Sequence, residues 1–300
     1  MRFDSNELKK LYIPPPDSHK GQNGKLLVIG GSHLFHAASL WALTIASRVL
    51  DMVFYSSVPE NNQIVQELKK EFRNGIVVHR RDIDNYIVEA DCILIGPGMM
   101  RTEVEITSQE LGIEEINRLD DEGLQSYYLT KYLLKKYPQK KWVIDAGALQ
   151  MMEPEWLLSL NGNAIITPHP MEFERVRLKI KDLGLKNKIE AESLEKQIEL
   201  FAKEFNCVVL LKGKEDIVSS PENCVSISGG NAGMTKGGTG DVLAGLVAAL
   251  ACKNELFLAA KAGAYFNKKA GESLFEKVGY TFNASDLAQE IPVVMKQALF

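Results

Sequence analysis

A glycine-rich stretch at residues 229–241, GGNAGMTKGGTGD, ends in an aspartate and runs directly into an apolar segment. Glycine tolerates positive φ and lets a ligand approach the main chain, so successive N–H groups can form one concavity. A helix that begins near Thr239 would add free amides and the positive end of its dipole. The stretch is not rich in serine, as flexible glycine linkers usually are, and this argues against a linker. We therefore expect residues 237–240 to cradle a concentrated negative charge such as a phosphate.

Asp241 lies in the first turn of this expected helix, and two roles are open for it. Its carboxylate could cap the helix and complement the dipole. It could also act as a general base that removes a proton from a substrate hydroxyl while a phosphoryl group occupies the cradle. The positive helix end is expected to lower the pKa of Asp241, and an incoming phosphate to raise it again. The two roles are compatible.

Other nucleotide and metal motifs find little support. The stretch is not a Walker A loop, because Lys236 precedes the key glycines instead of following them. GGSHLF at 30–35 is a single weak cue for a hydride-transfer Rossmann enzyme. His33 and His36 have no cysteine or carboxylate beside them at ligand spacing, so no metal ligands are assigned.

The composition is that of a soluble globular protein, with 300 residues of which 45% are hydrophobic and 25% charged. A formal net charge of −4 gives no overall basic field, so neither a nucleic acid nor a membrane is expected as a partner. The start MRFDSNELKK lacks the apolar core of a signal peptide, and the apolar run at 242–252 is too short to cross a bilayer. A cytoplasmic protein is expected.

The four cysteines form no Cys-x-x-Cys pair and are expected to be buried thiols.

Alternating strand and helix patterns predict an α/β fold with a central, mostly parallel sheet covered by helices on both faces. Seven runs rich in Val, Ile and Leu are expected to be strands, at 25–31, 52–57, 76–79, 92–98, 142–147, 164–170 and 207–213. Apolar residues three or four apart predict helices at 37–50, 124–137 and 189–205. The acidic segment 101–122 is expected to be a solvated surface excursion.

Small or turn-forming residues end five of the expected strands, at 30–32, 96–98, 145–147, 167–170 and 212–213. Turns alone would explain any one of them. Because α/β sheets bind ligands at the carboxyl ends of their strands, the series favours one shared cleft. The three prolines at 14–16 mark the end of an N-terminal arm, residues 1–18, and residues 19–300 are expected to form a single domain.

The segment KGGTGDVLAG, with NAGM before it, resembles the ribokinase-like superfamily, in which a glycine-rich anion hole precedes a catalytic aspartate. A more specific resemblance covers residues 19–245. HKGQNGKLLVIGGS, ILIGPGM, VIDAGAL, TPHPMEFERV, VVLLKG and NAGMTKGGTGDVLAG occur in this order and resemble the ADP- or ATP-dependent NAD(P)H-hydrate dehydratases. In that family a nucleotide phosphorylates the 6-hydroxyl of hydrated NADH or NADPH, and the phosphate then leaves to restore the nicotinamide ring.

The resemblance implies a role for each matching residue. The base would be Asp241, which would also contact the substrate, and the phosphoryl cradle would be Gly238, Thr239 and Gly240. The substrate would contact Gly98, His169 and one of Ala37 or Ala38. The nucleotide would contact Lys212, Gly213, Lys214, Glu215, Asp216 and Gly240. Glu172 matches the usual glutamate of the family, whereas Glu174 has only the role of a helix-start charge.

The resemblance also implies a metal ion, a phosphoryl donor and an oligomeric state, and it leaves two alternative functions open. It implies Mg²⁺, ADP or ATP as phosphoryl donor with ADP favoured by lineage, and a homotetramer. The epimerase domain often fused to this family is not expected, because the match begins by about His19. Two other functions stay open: a ribokinase-like kinase that retains the phosphate ester on a vitamin-precursor alcohol, and a non-catalytic nucleotide-binding regulator.

Three positions depart from the commonest family pattern. Gly147 stands where an aspartate is frequent, Ala232 where a proline is, and Asp216 where a threonine is usual. An acidic Asp216 beside nucleotide phosphates would cost repulsion unless Lys214 or Mg²⁺ offsets it. The nucleotide loop is therefore the least regular part of the expected site.

Overall fold

The protein folds around one nine-stranded sheet, in a computed structural model that describes residues 2–107 and 109–300. The strands are β1 Lys25–Ile29, β2 Met52–Ser56, β3 Ile76–Val77, β4 Cys92–Ile95, β5 Lys141–Ile144, β6 Ala164–Ile166, β7 Val208–Leu211, β8 Asp216–Ser219 and β9 Cys224–Ile227. Their order across the sheet is β3-β2-β1-β4-β5-β6-β7-β8-β9. All pairs from β3 to β7 are parallel, and β8 is antiparallel to both its neighbours. The prediction of a mostly parallel sheet is confirmed.

The seven apolar runs each overlap one of the parallel strands β1 to β7. These strands read as continuous apolar runs because helices cover both of their faces. The sequence does not predict the hairpin of β8 and β9. Its two strands are four residues long and mix polar with apolar side chains, so neither gives a distinct strand pattern.

Helices connect and cover the strands. They are α1 His36–Val49, α2 Pro59–Leu68, α3 Ile83–Glu89, α4 Ile113–Ile116, α5 Glu122–Lys136, α6 Ala146–Met151, α7 Pro170–Leu178, α8 Leu183–Glu190, α9 Leu194–Glu204, α10 Thr239–Lys253, α11 Leu256–Val278 and α12 Ala284–Leu299. Short 3-10 helices lie at Ser5–Lys10, Arg80–Asp82, Pro154–Leu160 and Ala232–Thr235. The helices predicted at 37–50 and 124–137 are confirmed as α1 and α5. The single helix predicted at 189–205 is wrong, since extended backbone at Ser193 separates α8 from α9.

Two hydrophobic cores lie on opposite faces of the sheet. Along β1, Leu26 and Val28 belong to one core and Leu27 and Ile29 to the other, because side chains alternate along a strand. The first core packs against α1, α10, α11 and α12, and the second against α3, α5, α7 and α9. The sequence prediction of helices on both faces is confirmed.

Helix α10 is buried on nearly every side and runs against the direction of the strands. Lys141, at the start of β5, donates hydrogen bonds from Nζ to the carbonyl oxygens of Ala251 (2.9 Å) and Asn254 (2.8 Å) at its C-terminal end. This ammonium satisfies carbonyls that the helix leaves unpaired and complements the negative end of its dipole. The N-terminal end of α10 therefore lies at the carboxyl ends of the strands.

The remaining segments are peripheral to this arrangement. Residues 101–107 and 109–122 are mostly exposed, although Ile116 is buried, and Ser108 lies outside the described residues. Leu8 and Leu11 of the predicted arm pack in the core with α10 and α11. The boundary at residue 18 stays a prediction. Within residues 2–107 and 109–300, no helix combines the length and the apolar character needed to cross a membrane.

Candidate active site

The glycine-rich stretch turns into α10 at the residue expected from the sequence, since the helix begins at Thr239. Gly238 precedes it with φ 94°, in the left-handed region. A Cβ on Gly238 would also lie 2.2 Å from the ring of Trp41, so only glycine fits here. The Thr239 hydroxyl donates to the carbonyl oxygens of Met234 (2.6 Å) and Lys236 (2.9 Å), which fixes the approach to the helix. The first turn of α10 thus presents its amides at a defined concavity.

The start of α1 forms one wall beside this concavity. Trp41 packs on Gly238, and its indole N–H donates to Ser285 Oγ of α12 at 3.1 Å. One turn earlier, Ala38 lies against the loop after β4, where a Cβ on Gly98 would come 3.0 Å from the Ala38 Cβ. The structure therefore brings Ala38 and Gly98 together, and Ala37 lies beside Ala38 at the start of the helix.

Charged groups from three neighbouring strand ends meet near Asp241. Lys212, which follows β7, donates from Nζ to Asp145 Oδ1 at 2.8 Å, and its Nζ lies 3.9 Å from Glu172 Oε2. Asp145 follows β5 and also accepts a hydrogen bond from the Thr167 hydroxyl at 2.9 Å. Asp145 and Glu172 are both buried. The ammonium of Lys212 thus faces the carboxylates of Asp145, Glu172 and Asp241.

The pKa of Asp241 is raised to about 7. Burial is the main cause, and the negative charges of Asp145 and Glu172 add to it, while Lys212 opposes them. The expectation that the helix end keeps this pKa low is wrong, because burial and two carboxylates outweigh the dipole. For Lys212, burial lowers the pKa, but Asp145 and Glu172 reverse this and leave it above its usual value. Lys212 therefore stays charged, and Asp241 can gain or lose a proton near neutral pH.

His169 caps the N-terminal end of α7. Its Nδ1 accepts a hydrogen bond from the Glu172 amide at 3.3 Å, and Glu172 Oε2 accepts one from the His169 amide at 2.9 Å. This reciprocal arrangement is a capping box. The side chain of His169 remains 49% exposed, so the imidazole can also touch a ligand. Its structural role is observed, and its substrate contact stays a prediction.

A cleft of about 1050 Å³ opens between the loop after β7, the segment after β9 and the start of α10. Its volume is at the upper end of the range for small-molecule sites. The lining includes every predicted nucleotide contact, namely Lys212, Gly213, Lys214, Glu215, Asp216 and Gly240, together with Thr239 and His169. Asn267 of α11 also lines it, and its buried Oδ1 has no hydrogen-bond partner among the described residues. The cleft therefore joins the predicted nucleotide loop to the predicted phosphate cradle.

Asp216 is turned inward and does not face the cleft as a free charge. It is 3% exposed, and its Oδ1 accepts a hydrogen bond from the Gly213 amide at 2.8 Å. Lys268 Nζ lies 3.2 Å from the same oxygen. Burial nevertheless leaves the pKa of Asp216 above its usual value. The expectation that Lys214 or Mg²⁺ must offset this charge is wrong, since Lys268 already does so.

Comparison with known proteins shows the family to which the chain belongs. A family model described as NAD(P)H-hydrate dehydratase matches residues 26–293. The chain belongs to this dehydratase family. The ADP-dependent (S)-NAD(P)H-hydrate dehydratase of Nitrosopumilus maritimus is 35% identical over 294 residues, which cover 96% of this chain and 95% of that protein.

Other relatives are longer than this member of the dehydratase family. The bifunctional NAD(P)H-hydrate repair enzyme of Methanocaldococcus jannaschii is 32% identical over 97% of this chain, which spans 52% of that protein. Among solved structures, the ADP/ATP-dependent NAD(P)H-hydrate dehydratase of Bacillus subtilis, co-crystallised with ATP/Mg²⁺, has a TM-score of 0.74 at 22% identity. The superposition covers 99% of this chain and 98% of the Bacillus subtilis chain. The structural likeness shows the ribokinase-like fold.

Two departures from the pattern of the dehydratase family have a structural reason. A Cβ on Gly147 would lie 2.1 Å from the carbonyl oxygen of Met99, so no larger residue fits this backbone. Asp216 is compensated by Lys268. Nothing in the structure explains Ala232.

Sequence reasoning misses several residues of this site. It recognises Asp145 only as a strand end, although a carboxylate directly after a buried strand is the available signal. Trp41 lies within α1 and Lys268 within α11, a helix that the sequence analysis does not predict. No local sequence signal distinguishes them from other helix residues.

The two histidines at 33 and 36 do not converge on a common ligand. His33 Nδ1 lies 3.1 Å from Glu122 Oε2, and His36 Nδ1 lies 3.1 Å from Asn61 Oδ1. Among residues 2–107 and 109–300, one group of potential metal ligands lies together, at Glu195, Glu199 and Cys224. Burial raises the pKa of the Cys224 thiol to about 11, so this sulfur is protonated at neutral pH.

Replacing Glu172 with glutamine is expected to lower the pKa of Asp241 from about 7, because one of the two carboxylates that raise it loses its charge. Carboxyl ¹³C chemical shifts followed against pH measure this pKa, and Asp241→Asn assigns the signal. Glu174→Gln is the matched control, since Glu174 lies exposed on the same helix. An Asp241 pKa near its ordinary value in the unmodified protein would contradict the described electrostatics.

Replacing Gly238 with alanine is expected to lower the free energy of unfolding by about 1–3 kcal/mol from backbone strain, with the contact to Trp41 adding to this. Gly237→Ala is the control, because a Cβ there meets nothing within 4 Å. Urea unfolding of both variants compares the two positions. Equal losses would show that the conformation of Gly238 is not needed.

Proposed function

We propose that this protein is a nucleotide-dependent dehydratase that returns (6S)-hydrated NADH and NADPH to NADH and NADPH. The observation that carries the proposal is geometric: Asp241 lies in the first turn of α10, three residues after the left-handed Gly238, and beside the charged Lys212. The pKa of Asp241, raised to about 7, supports the same role. A general base works best when its pKa lies near the operating pH. The membership of the chain in the dehydratase family supports this particular reaction.

In the first step of the proposed reaction, Asp241 takes the proton of the substrate 6-hydroxyl as that oxygen attacks the terminal phosphorus of the nucleotide. The bond between this phosphorus and the bridging oxygen breaks, so ADP leaves as AMP. The amides of Gly238, Thr239 and Gly240 hold the transferring phosphoryl group, and Lys212 offsets its negative charge. Asp145 keeps Lys212 charged and oriented through the 2.8 Å hydrogen bond.

In the second step the phosphate leaves C6 of the nicotinamide ring and takes up the proton that leaves C5, which restores the ring double bond. Asp241 then releases the proton that it took in the first step. Phosphorylation has by then turned a poor leaving group, hydroxide, into a good one. Close packing of Gly98 against α1 limits the volume next to the cradle. Gly98, His169 and one of Ala37 or Ala38 are the proposed substrate contacts.

An adenine nucleotide fits the cleft on structural grounds. The cleft holds about 1050 Å³, its Lys214 has no ion pair among the described residues, and the Asn267 oxygen lacks a partner there. Lys212, Gly213, Lys214, Glu215, Asp216 and Gly240 are the proposed contacts. We propose ADP as the donor, because the relative from Nitrosopumilus maritimus is named ADP-dependent.

Mg²⁺ fits the donor set beside the cradle. The buried carboxylates of Asp145 and Glu172 are hard oxygen ligands, and Mg²⁺ is commonly held by one or two carboxylates together with phosphate oxygens. When bound, the ion supplies neutralisation of phosphate charge. The structurally similar dehydratase from Bacillus subtilis was co-crystallised with ATP/Mg²⁺. A homotetramer, implied by the resemblance, and a cytoplasmic location, expected from the sequence, complete the proposal.

The decisive assay adds the protein to hydrated NADH, ADP and Mg²⁺. Recovery of the near-ultraviolet absorbance of NADH, with equal release of AMP and inorganic phosphate, is expected. A stable phosphorylated product from another alcohol, without recovery of NADH absorbance, would instead indicate a small-molecule kinase. The same assay with ATP measures the donor preference.

Asp241→Asn is expected to reduce turnover by about 10²–10⁴-fold, the usual contribution of a general base. Binding of ADP is expected to change little, because the backbone amides that hold the phosphates remain. Calorimetric titration and steady-state rates measure the two effects, and Asp120→Asn on the surface segment 101–122 is the control. Full activity after the substitution at Asp241 would overturn the general-base role and favour helix capping alone.

A further inference from the structure

Lys268 of α11 connects the two sides of the nucleotide cleft. One side is the loop of residues 212–215 between β7 and β8, here called the hairpin rim, and the other is the segment 228–231 after β9, here called the glycine rim. Lys268 Nζ donates to the carbonyl oxygens of Gly213 (3.0 Å) and Lys214 (3.2 Å) on the hairpin rim. It also lies 3.5 Å from the carbonyl oxygen of Gly229 on the glycine rim.

The charge of Lys268 is buried and balanced. Lys268 is 5% exposed and Asp216 is 3% exposed, with Nζ and Oδ1 separated by 3.2 Å. Removing one member of such a pair leaves an uncompensated buried charge, whereas removing both does not. Asp216 also accepts from the Gly213 amide at 2.8 Å. The pair thus holds Gly213 by its N–H group and by its carbonyl group.

The glycine rim depends on the same helix. A Cβ on Gly230 would lie 3.5 Å from Lys268 Cγ, and the Gly230 amide donates to Glu272 Oε1 at 3.2 Å. Gly229 and Gly230 have φ of 121° and 74°. Their backbone therefore follows a path that side chains rarely allow, and it lies directly on α11.

Fixed carbonyl groups matter in a cleft that takes up phosphates. A carbonyl oxygen directed at a phosphate would repel it, and Lys268 engages the carbonyls of Gly213, Lys214 and Gly229. The side chain of Lys214 is left exposed at the cleft, without an ion pair among the described residues. The hydrogen bonds made by Lys268 thus keep these carbonyl oxygens from facing a phosphate in the cleft, and the ammonium of Lys214 remains there as a positive charge.

We propose that Lys268 and Asp216 form a positioning pair that sets the affinity of the cleft for a nucleoside diphosphate. The pair fixes the distance between the hairpin rim and the glycine rim and takes no part in the proton or phosphoryl transfer at Asp241. The inference rests on the nucleotide-binding part of the proposed function and not on the dehydration itself.

Titration calorimetry with ADP and Mg²⁺ tests the proposal on the full chain. Lys268→Met is expected to raise the Kd, and the KM for ADP in the dehydratase assay, at least tenfold, while kcat at saturating ADP changes less than threefold. Lys261→Met is the matched control, because Lys261 is 4% exposed on the same helix and pairs with Glu7 outside the cleft, at 2.7 Å. Its Kd for ADP is expected to stay within twofold of the original.

A double variant separates affinity from stability. Lys268→Met with Asp216→Asn leaves no charge at either position, so its thermal midpoint is expected to recover towards that of the unmodified protein. Its Kd is expected to stay at least tenfold raised, because the carbonyls remain free. If Lys268→Met alone does not fold, the Kd of the double variant for ADP tests the proposal in its place.

Several results would overturn the proposal. An unchanged Kd in the folded double variant, an equal rise in Kd for Lys261→Met, or a loss confined to kcat would each do so. Absence of ADP binding by the unmodified protein would also overturn it, even if NADH absorbance recovers with another donor. ADP binding without recovery of NADH absorbance would remove the dehydratase proposal and leave this inference in place.

Discussion

Charge balance at the ends of β5, β6 and β7 governs the chemistry of this protein. Lys212 lies among the carboxylates of Asp145, Glu172 and Asp241, so this cluster of four side chains carries excess negative charge. Asp145 is hydrogen-bonded to Lys212 and to Thr167, and Glu172 to His169 and Gln150. Asp241 is the carboxylate left to take up a proton. The arrival of an anion in the cradle would strengthen this tendency.

The sheet fixes the relative positions of the side chains in this cluster. Ile144 is paired with Ile166, so Asp145 and Thr167 emerge side by side at the ends of β5 and β6. The amide of Lys212, after β7, donates to the carbonyl oxygen of Pro168 at 2.8 Å, which places it at the same edge. Helix α10 then brings Asp241 to the same edge, with its far end held by Lys141. Because α10 is buried on nearly all sides, its position cannot shift without disturbing the core.

Sequence reasoning predicted the features that have a local signal. Continuous apolar runs indicated the parallel strands, and the change from glycines to an apolar segment indicated a helix start at Thr239. The cleft is lined by residues from two of the five predicted strand ends, 167–170 and 212–213, and a single cleft shared by all five stays a prediction. These features depend on the residue types within a few positions of one another.

The features that were missed depend on residues far apart in the chain. Burial and then Asp145, which follows a different strand, raise the pKa of Asp241, and Asp216 is balanced by Lys268 from a later helix. The break between α8 and α9 is set at Ser193, where the chain takes extended backbone, although the apolar spacing continues across it. Charge interactions and packing of this kind become visible only after the elements have been assembled.

The contact between Trp41 and Gly238 has a consequence for how ligands are received. Trp41 is held by Ser285 of α12, and Gly238 cannot accept a side chain, so the proposed phosphate cradle already has its shape before any ligand arrives. No reorganisation energy is then needed at that end of the cleft. The hairpin rim and the glycine rim at the other end of the cleft are likewise held in place, by Lys268 and Asp216. A cleft built in this way would discriminate between ligands by the fit of their anionic groups, since neither end would have to move to receive them.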